Sequence, residues 1–169
     1  MPEPLDPQRL FAALEQHGVE YVLIGGLAAV LYGSAVVTND ADICPSRTRE
    51  NLERLAAALK HLHARIRSAT EPDGVAFSCD PELLARVQML NLQTDAGQFD
   101  LAFEPAGFTG YDDLARDAEP FDIDGARVPV AALRDIIRSK EAANRLKDRA
   151  ALPHLYALED EIAARDDEG

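Results

Sequence analysis

Two acids, Asp40 and Asp42, stand either side of one alanine in a stretch that reads as a strand, Val36 to Ile43, with Pro45 just beyond it. Alternate residues of a strand point to the same face, so both carboxylates project together. Side by side they repel each other unless something neutralises them, and a divalent cation is the natural partner. A third acid, Asp100, lies in the strand pattern Gln98-Phe99-Asp100-Leu101-Ala102-Phe103 among residues that look buried. An acid in a core strand is costly without a partner. If the two strands are neighbours, three oxygen ligands converge on one or two Mg²⁺ or Mn²⁺ ions. That arrangement activates an attacking oxygen and stabilises a leaving pyrophosphate.

A glycine pair adds to this. Tyr21-Val22-Leu23-Ile24 is a short apolar run, the pattern of a buried strand, and Gly25-Gly26 stops it before a short helix from Leu27 to Leu31. At such a turn the backbone approaches a phosphate closely and its free N–H groups favour negative charge. Ser34, after Gly33, offers a further donor. Strand–Gly-Gly–helix and Asp-x-Asp are each weak signals alone; in this order they reinforce one another.

The rest of the chain predicts a mixture of hairpins and helices. An amphipathic helix around Leu10, Phe11 and Leu14 ends near Gly18, and Ser46 is placed as the cap of a longer helix carrying Leu52, Leu55, Ala56 and Leu59. Residues 68–80 read as irregular, and a brief helix spans Pro81 to Arg86. A hairpin joins Met89–Gln93 to Phe99–Phe103 through Asp95-Ala96-Gly97. A short helix near Tyr111 to Arg116 precedes a second hairpin around Asp124-Gly125. Two helices close the chain, Ala131 to about Ala143 and Lys147 onward, with Pro153 in the first turns of the second. The expected fold class is α/β (α+β): a mixed β-sheet flanked by helices, with C-terminal helices. No repeat or low-complexity linker divides it, so residues 1–169 are read as one domain. About 160–169 form an acidic tail in which a solvated helix end fades into disorder.

The formal net charge of −13 argues against broad, sequence-independent grip on nucleic acid, which depends on a basic surface. A local basic patch remains, because Arg134, Arg138, Lys140, Arg145, Lys147 and Arg149 crowd one C-terminal stretch. No run approaches the roughly 18 apolar residues of a membrane span, and the N-terminus lacks the features of a signal peptide. With two cysteines, Cys44 and Cys79, that form no spaced framework, the expected setting is a reducing cytoplasm. His61 and His63, two apart on a helix, face different directions and are not read as a metal pair.

Gly25-Gly26, thirteen intervening residues, then Asp40-x-Asp42-Ile43 resembles the signature of the polymerase-beta-type nucleotidyltransferase superfamily. Phe99-Asp100-Leu101 resembles its third carboxylate. The segment Gly25-Gly26-Leu27-Ala28-Ala29, then Gly33-Ser34, Thr38 and Asp40-x-Asp42, is similar to the bacterial branch of AbiEii-type abortive-infection and toxin–antitoxin nucleotidyltransferases. So is Ser139-Lys140-x-Ala142-Ala143-x-Arg145-x-Lys147-Asp148. The likeness spans roughly residues 20 to 158.

The resemblance implies an NTP-dependent enzyme that moves a nucleoside monophosphate to an acceptor hydroxyl on RNA (tRNA), a protein or a small molecule, with a cognate antitoxin-like protein as partner and no membrane. Asp40 and Asp42 would hold the nucleotide-bound metal. Asp100 would hold the second metal and help deprotonate the attacking hydroxyl. Gly25, Gly26 and Ser34 would meet the triphosphate, and Lys140 and Lys147 would neutralise phosphate charge, with Asp148 orienting Lys140 or Arg145. A straight helix would put Lys140 and Lys147 on one side; a break near Asn144 would uncouple them. One departure stands out: the branch often carries an arginine just before the strand threonine, where this chain has Val36 or Val37. That loss keeps a second expectation open, a catalytically degenerate nucleotidyltransferase-fold binding or scaffold protein.

Overall fold

A computed structural model describes residues 3–169. Seven strands form one sheet in the order β3-β4-β5-β2-β1-β7-β6: β1 Tyr21–Ile24, β2 Asp40–Pro45, β3 Arg65–Ile66, β4 Met89–Thr94, β5 Gly97–Ala102, β6 Glu119–Ile123 and β7 Ala126–Val130. The sheet is mixed, with β2 parallel to β5, β1 parallel to β7 and the remaining neighbours antiparallel. Around it lie α1 Pro7–Gln16, α2 Gly25–Leu31, α3 Arg49–His61, α4 Pro81–Leu84, α5 Tyr111–Ala115, α6 Leu133–Ala143 and α7 Leu146–Glu168. This is the expected α+β class.

Local chemistry sets most of these elements. Asp6 caps α1 by accepting from the Arg9 N–H at 3.1 Å, and Pro7 starts the helix where its missing N–H costs nothing. Leu10, Phe11 and Leu14 form its buried face. The two hairpins follow the turn chemistry: Asp124 and Gly125 both have positive φ, as a two-residue β6–β7 connection requires. Phe99 and Leu101 of β5, with Ala41 and Ile43 of β2, are fully buried in the centre of the sheet. Alternation then leaves Asp40, Asp42 and Asp100 only partly covered on the other face.

Three expectations need correction. The strand expected from Val36 begins only at Asp40. Its partner β1 ends opposite Asp42, where Ile24 gives way to Gly25 in a left-handed conformation, and its pairing with β5 starts with Asp40 opposite Gln98. Residues before Asp40 thus have no strand to pair with, and Val36 and Val37 are 55% and 86% exposed. Pro45 closes the strand rather than following it, in register with Tyr21. The α3 cap is Thr48, whose hydroxyl accepts from the Asn51 N–H at 3.2 Å, not Ser46.

The last helix, α7, runs through Glu168 and takes in the acidic residues at the end of the chain. Leu152, Leu155, Leu158 and Ile162 continue one apolar stripe into the core's margin and carry the helix outward. Pro153 lies inside that helix, beyond its first turn. Strand β3 had no signal in the sequence, being two residues long and held by β4 and a bridge from Ile66 to Val75.

Candidate functional site

The parallel register of β2 and β5 places Asp42 directly opposite Asp100. With Asp40 one pleat away, the three carboxylates each offer an oxygen, and these oxygens lie within 4.8 Å of one another. Burial, then the neighbouring charges of Asp40 and Asp100, pushes the Asp42 pKa up to about 7, against the pull of Lys147. Asp100 is also raised, by burial first, with Arg67 opposing. Three acids this close hold either protons or a cation.

Gly25 is the residue that allows this approach. It has φ +76°, and a Cβ built there would overlap the Asp42 Oδ2 atom. The glycine therefore serves both the turn into α2 and the room for a carboxylate against the backbone. Gly26 has less latitude to lose than space: an added Cβ would sit 3.3 Å from Thr38. The Thr38 hydroxyl donates to the Asp40 carbonyl at 3.1 Å and lies 3.3 Å from Asp40 Oδ1, which ties the loop before β2 to the first acid.

The opposite wall comes from α6 and α7. Asn144, in the left-handed conformation, ends α6 and turns the chain into α7, so Lys140 and Lys147 sit on different helices. Asp148 is fully buried and gathers the cations here. Its Oδ2 accepts from Arg145 Nε at 2.7 Å and from the Arg145 backbone N–H at 3.1 Å, and Lys140 Nζ is 3.7 Å from Oδ1. Burial pushes the Asp148 carboxyl up, but the Arg145 hydrogen bonds and the Lys140 charge outweigh it and hold it below the usual carboxylate range. Lys147 makes no ion pair among the described residues, and its charge bears on Asp42.

Between the two walls is a cleft of about 830 Å³. Gly25, Gly26, Asp40, Asp42, Asp100, Lys140, Lys147 and Asp148 all line it. Ser34 does not; its hydroxyl accepts the Val36 N–H at 3.3 Å and braces the loop instead. Val36 and Val37 line the mouth, where the resemblance leads one to look for an arginine.

Arg67 was not legible as a site residue. Its Nη2 donates to Asp100 Oδ1 at 2.7 Å and to the Leu92 carbonyl at 3.1 Å. It lies just past β3 and reaches Asp100 only through pairing across β4, a non-local contact that no spacing in the sequence announces. His61, His63 and Cys44 stay outside the cleft: His61 contacts His17, His63 contacts Asp95, and Cys44 is a buried thiol.

The sequence matches no protein-family model and no curated protein. Solved structures do resemble it in fold. The lincosamide antibiotic adenylyltransferase LnuA, in its lincomycin-bound form, superimposes with a TM-score of 0.58 over 92% of this chain and 99% of its own, at 14% identity. The TM1012 protein of Thermotoga maritima, classed as a nucleotidyltransferase, gives 0.55 over 88% and 89% at 16% identity. The antibiotic-resistance factor ANT(2'')-Ia, in complex with adenylyl-2''-tobramycin, gives 0.51 over 93% and 94% at 15% identity. The chain thus has the nucleotidyltransferase fold. Among the described residues, no helix is long and apolar enough to cross a membrane.

Proposed function

We propose that this protein is a metal-dependent nucleotidyltransferase that moves a nucleoside monophosphate from an NTP to an acceptor hydroxyl and releases pyrophosphate. The observation that carries this reading is the meeting of three carboxylate oxygens within 4.8 Å beside the Gly25–Gly26 turn. The donor set suits Mg²⁺ or Mn²⁺: hard oxygens only, at a place where Asp42 is driven up to about 7 in want of positive charge. Asp40, Asp42 and Asp100 would hold the metal, which when bound supplies charge stabilisation at the reacting phosphate.

The protein's own groups then divide the work. The Gly25 and Gly26 backbone and the Lys147 ammonium receive the triphosphate, and Asp148 holds Lys140 and Arg145 at the same wall. The acceptor oxygen forms its bond to the α-phosphorus as the bond to the bridging oxygen breaks and pyrophosphate leaves. Asp100, with Oδ1 already held by Arg67, has Oδ2 left to assist removal of the hydroxyl proton. Arg67 fixes the orientation of that carboxylate.

The net charge of −13 and the antibiotics named with LnuA and ANT(2'')-Ia support a small, cationic acceptor over RNA or protein. The motif likeness to the AbiEii-type branch supports a bacterial, cytoplasmic toxin–antitoxin component with a cognate antitoxin-like partner. Thermal unfolding with Mg²⁺ and each NTP, for wild type and Asp42→Asn, tests the core of the proposal. A nucleotide at 100 times its Kd adds about 2.7 kcal/mol, a shift on the order of 5 °C at this size. A shift confined to the wild type supports a metal–nucleotide site. No shift with any NTP would leave only the scaffold reading.

A further inference from the structure

One acid in the cleft is not used by the chemistry above. Asp135, in the first turn of α6, lines the cleft yet is only 7% exposed. Its Oδ2 atom is buried without a hydrogen-bond partner, and its carboxylate makes no ion pair among the described residues. The two guanidiniums whose charge bears on it are engaged elsewhere: Arg138 lies over the Phe108 ring at 4.5 Å, and Arg116 pairs with Asp113 at 3.8 Å. A carboxylate buried without a donor is costly, and a ligand that brings the donor relieves the cost.

Position says which part of a ligand arrives there. Asp135, Ile136, Ser139, Lys140 and Ala143 form one stripe of α6 along the cleft. Asp135 and Lys140 are five residues apart, about 7.5 Å of helix rise. A nucleotide whose phosphate is held at the Lys140–Lys147 end therefore has the rest of its length running along this stripe toward Asp135. Phe108, Leu114 and Ile136 back this part of the cleft with apolar side chains continuous with the core.

We propose that Asp135 is the base-selecting residue of this site, its carboxylate accepting a hydrogen bond from the exocyclic amino group of adenine, guanine or cytosine. The inference rests on the nucleotidyl-transfer reading. UTP, which has no amino group, is the disfavoured nucleotide.

Calorimetric titration of the full chain with ATP, GTP, CTP, UTP and ITP in Mg²⁺ tests it. In the wild type the preferred nucleotide should bind at least about tenfold more tightly than its counterpart without the amino group, ITP for either purine or UTP for CTP. In Asp135→Ala and Asp135→Asn that ratio should fall severalfold, while both variants fold at least as well as the wild type in the absence of nucleotide. Equal binding of amino and deaminated nucleotides by the wild type would overturn the assignment. So would variants that keep the wild-type ratio, or that lose stability and affinity for all five equally, the mark of an acid serving only the start of α6. If the wild type binds no nucleotide at all, the transfer reading fails and this one with it. A lost ratio with binding intact therefore speaks of Asp135 alone.

Discussion

The two walls of the cleft are made in different ways. The acidic wall is a product of sheet register: β2 and β5 pair in parallel so that Asp42 meets Asp100, and every intervening residue is pinned by ladder bonds and by Ala41, Ile43, Phe99 and Leu101 behind it. The basic wall depends on one left-handed residue, Asn144, and on one buried carboxylate, Asp148, which between them set where Lys140, Arg145 and Lys147 go. A register cannot shift by one residue without exchanging core for surface, whereas a helix junction can be re-aimed by a single substitution. The acidic wall should be all-or-none and the basic wall tunable.

The comparison breaks most plainly at Asp42. Asp42→Asn should lower turnover by about 10³-fold or more, measured as nucleotide transfer or pyrophosphate release, with the fold intact by circular dichroism. Next in size is Gly25→Ala. The positive φ and the overlap with Asp42 should cost about 1–3 kcal/mol of stability and weaken Mn²⁺ binding, read by titration of the metal alone.

The pH dependence of the metal-free protein follows in magnitude. Asp42 has a folded pKa of about 7, above its ordinary carboxylate value, so the stability linked to its proton is complete below about pH 4 and is lost as pH rises through 7. The expected loss is a few kcal/mol between pH 4 and pH 7, at about 1.4 kcal/mol per pH unit, and saturating Mg²⁺ or Asp42→Asn should flatten the curve. Asp148 runs the opposite way: its folded pKa is lowered, so its contribution is present above the ordinary carboxylate range and disappears on acidification below it.

The smallest effect sharpens the contrast. Asn144→Ala puts an alanine in the left-handed region and should cost about 1 kcal/mol, while Asn144→Gly should cost little. With the cations re-aimed, nucleotide affinity should fall severalfold and metal affinity should hold. If Asn144→Ala weakened metal and nucleotide alike, the two walls would not be separable.

The sequence showed the acidic wall well and the basic wall only in part. Asp40, Asp42 and Gly25 lie within one local strand–turn pattern, and Asp100 lies in a strand whose alternation is plain, so period and spacing carry them. Lys140, Lys147 and Asp148 came from the motif likeness, but that Asp148 is buried between Arg145 and Lys140 depends on how two helices pack. Arg67 reaches Asp100 only through strand pairing across the fold, and Asp135 meets the cleft only because α6 lies along it; neither stands in any local pattern. Val36 and Val37 have the right composition for a strand; what they lack is a neighbour, so β2 starts later than composition predicts. At the end of the chain the acids dominate the composition, while Leu158 and Ile162 pack against the core.

That β2 begins at the first acid of the carboxylate cluster has a consequence for how such a protein changes over time. The segment from Gly33 to Asn39 enters the sheet at the mouth of the cleft, with only Thr38 clasping Asp40. Lengthening it, shortening it or exchanging Val36 and Val37 alters the entrance and leaves the strand pairing as it stands. The framework is thus decoupled from the gatepost, and a lineage can alter what enters the cleft while the carboxylate cluster behind it stays constant.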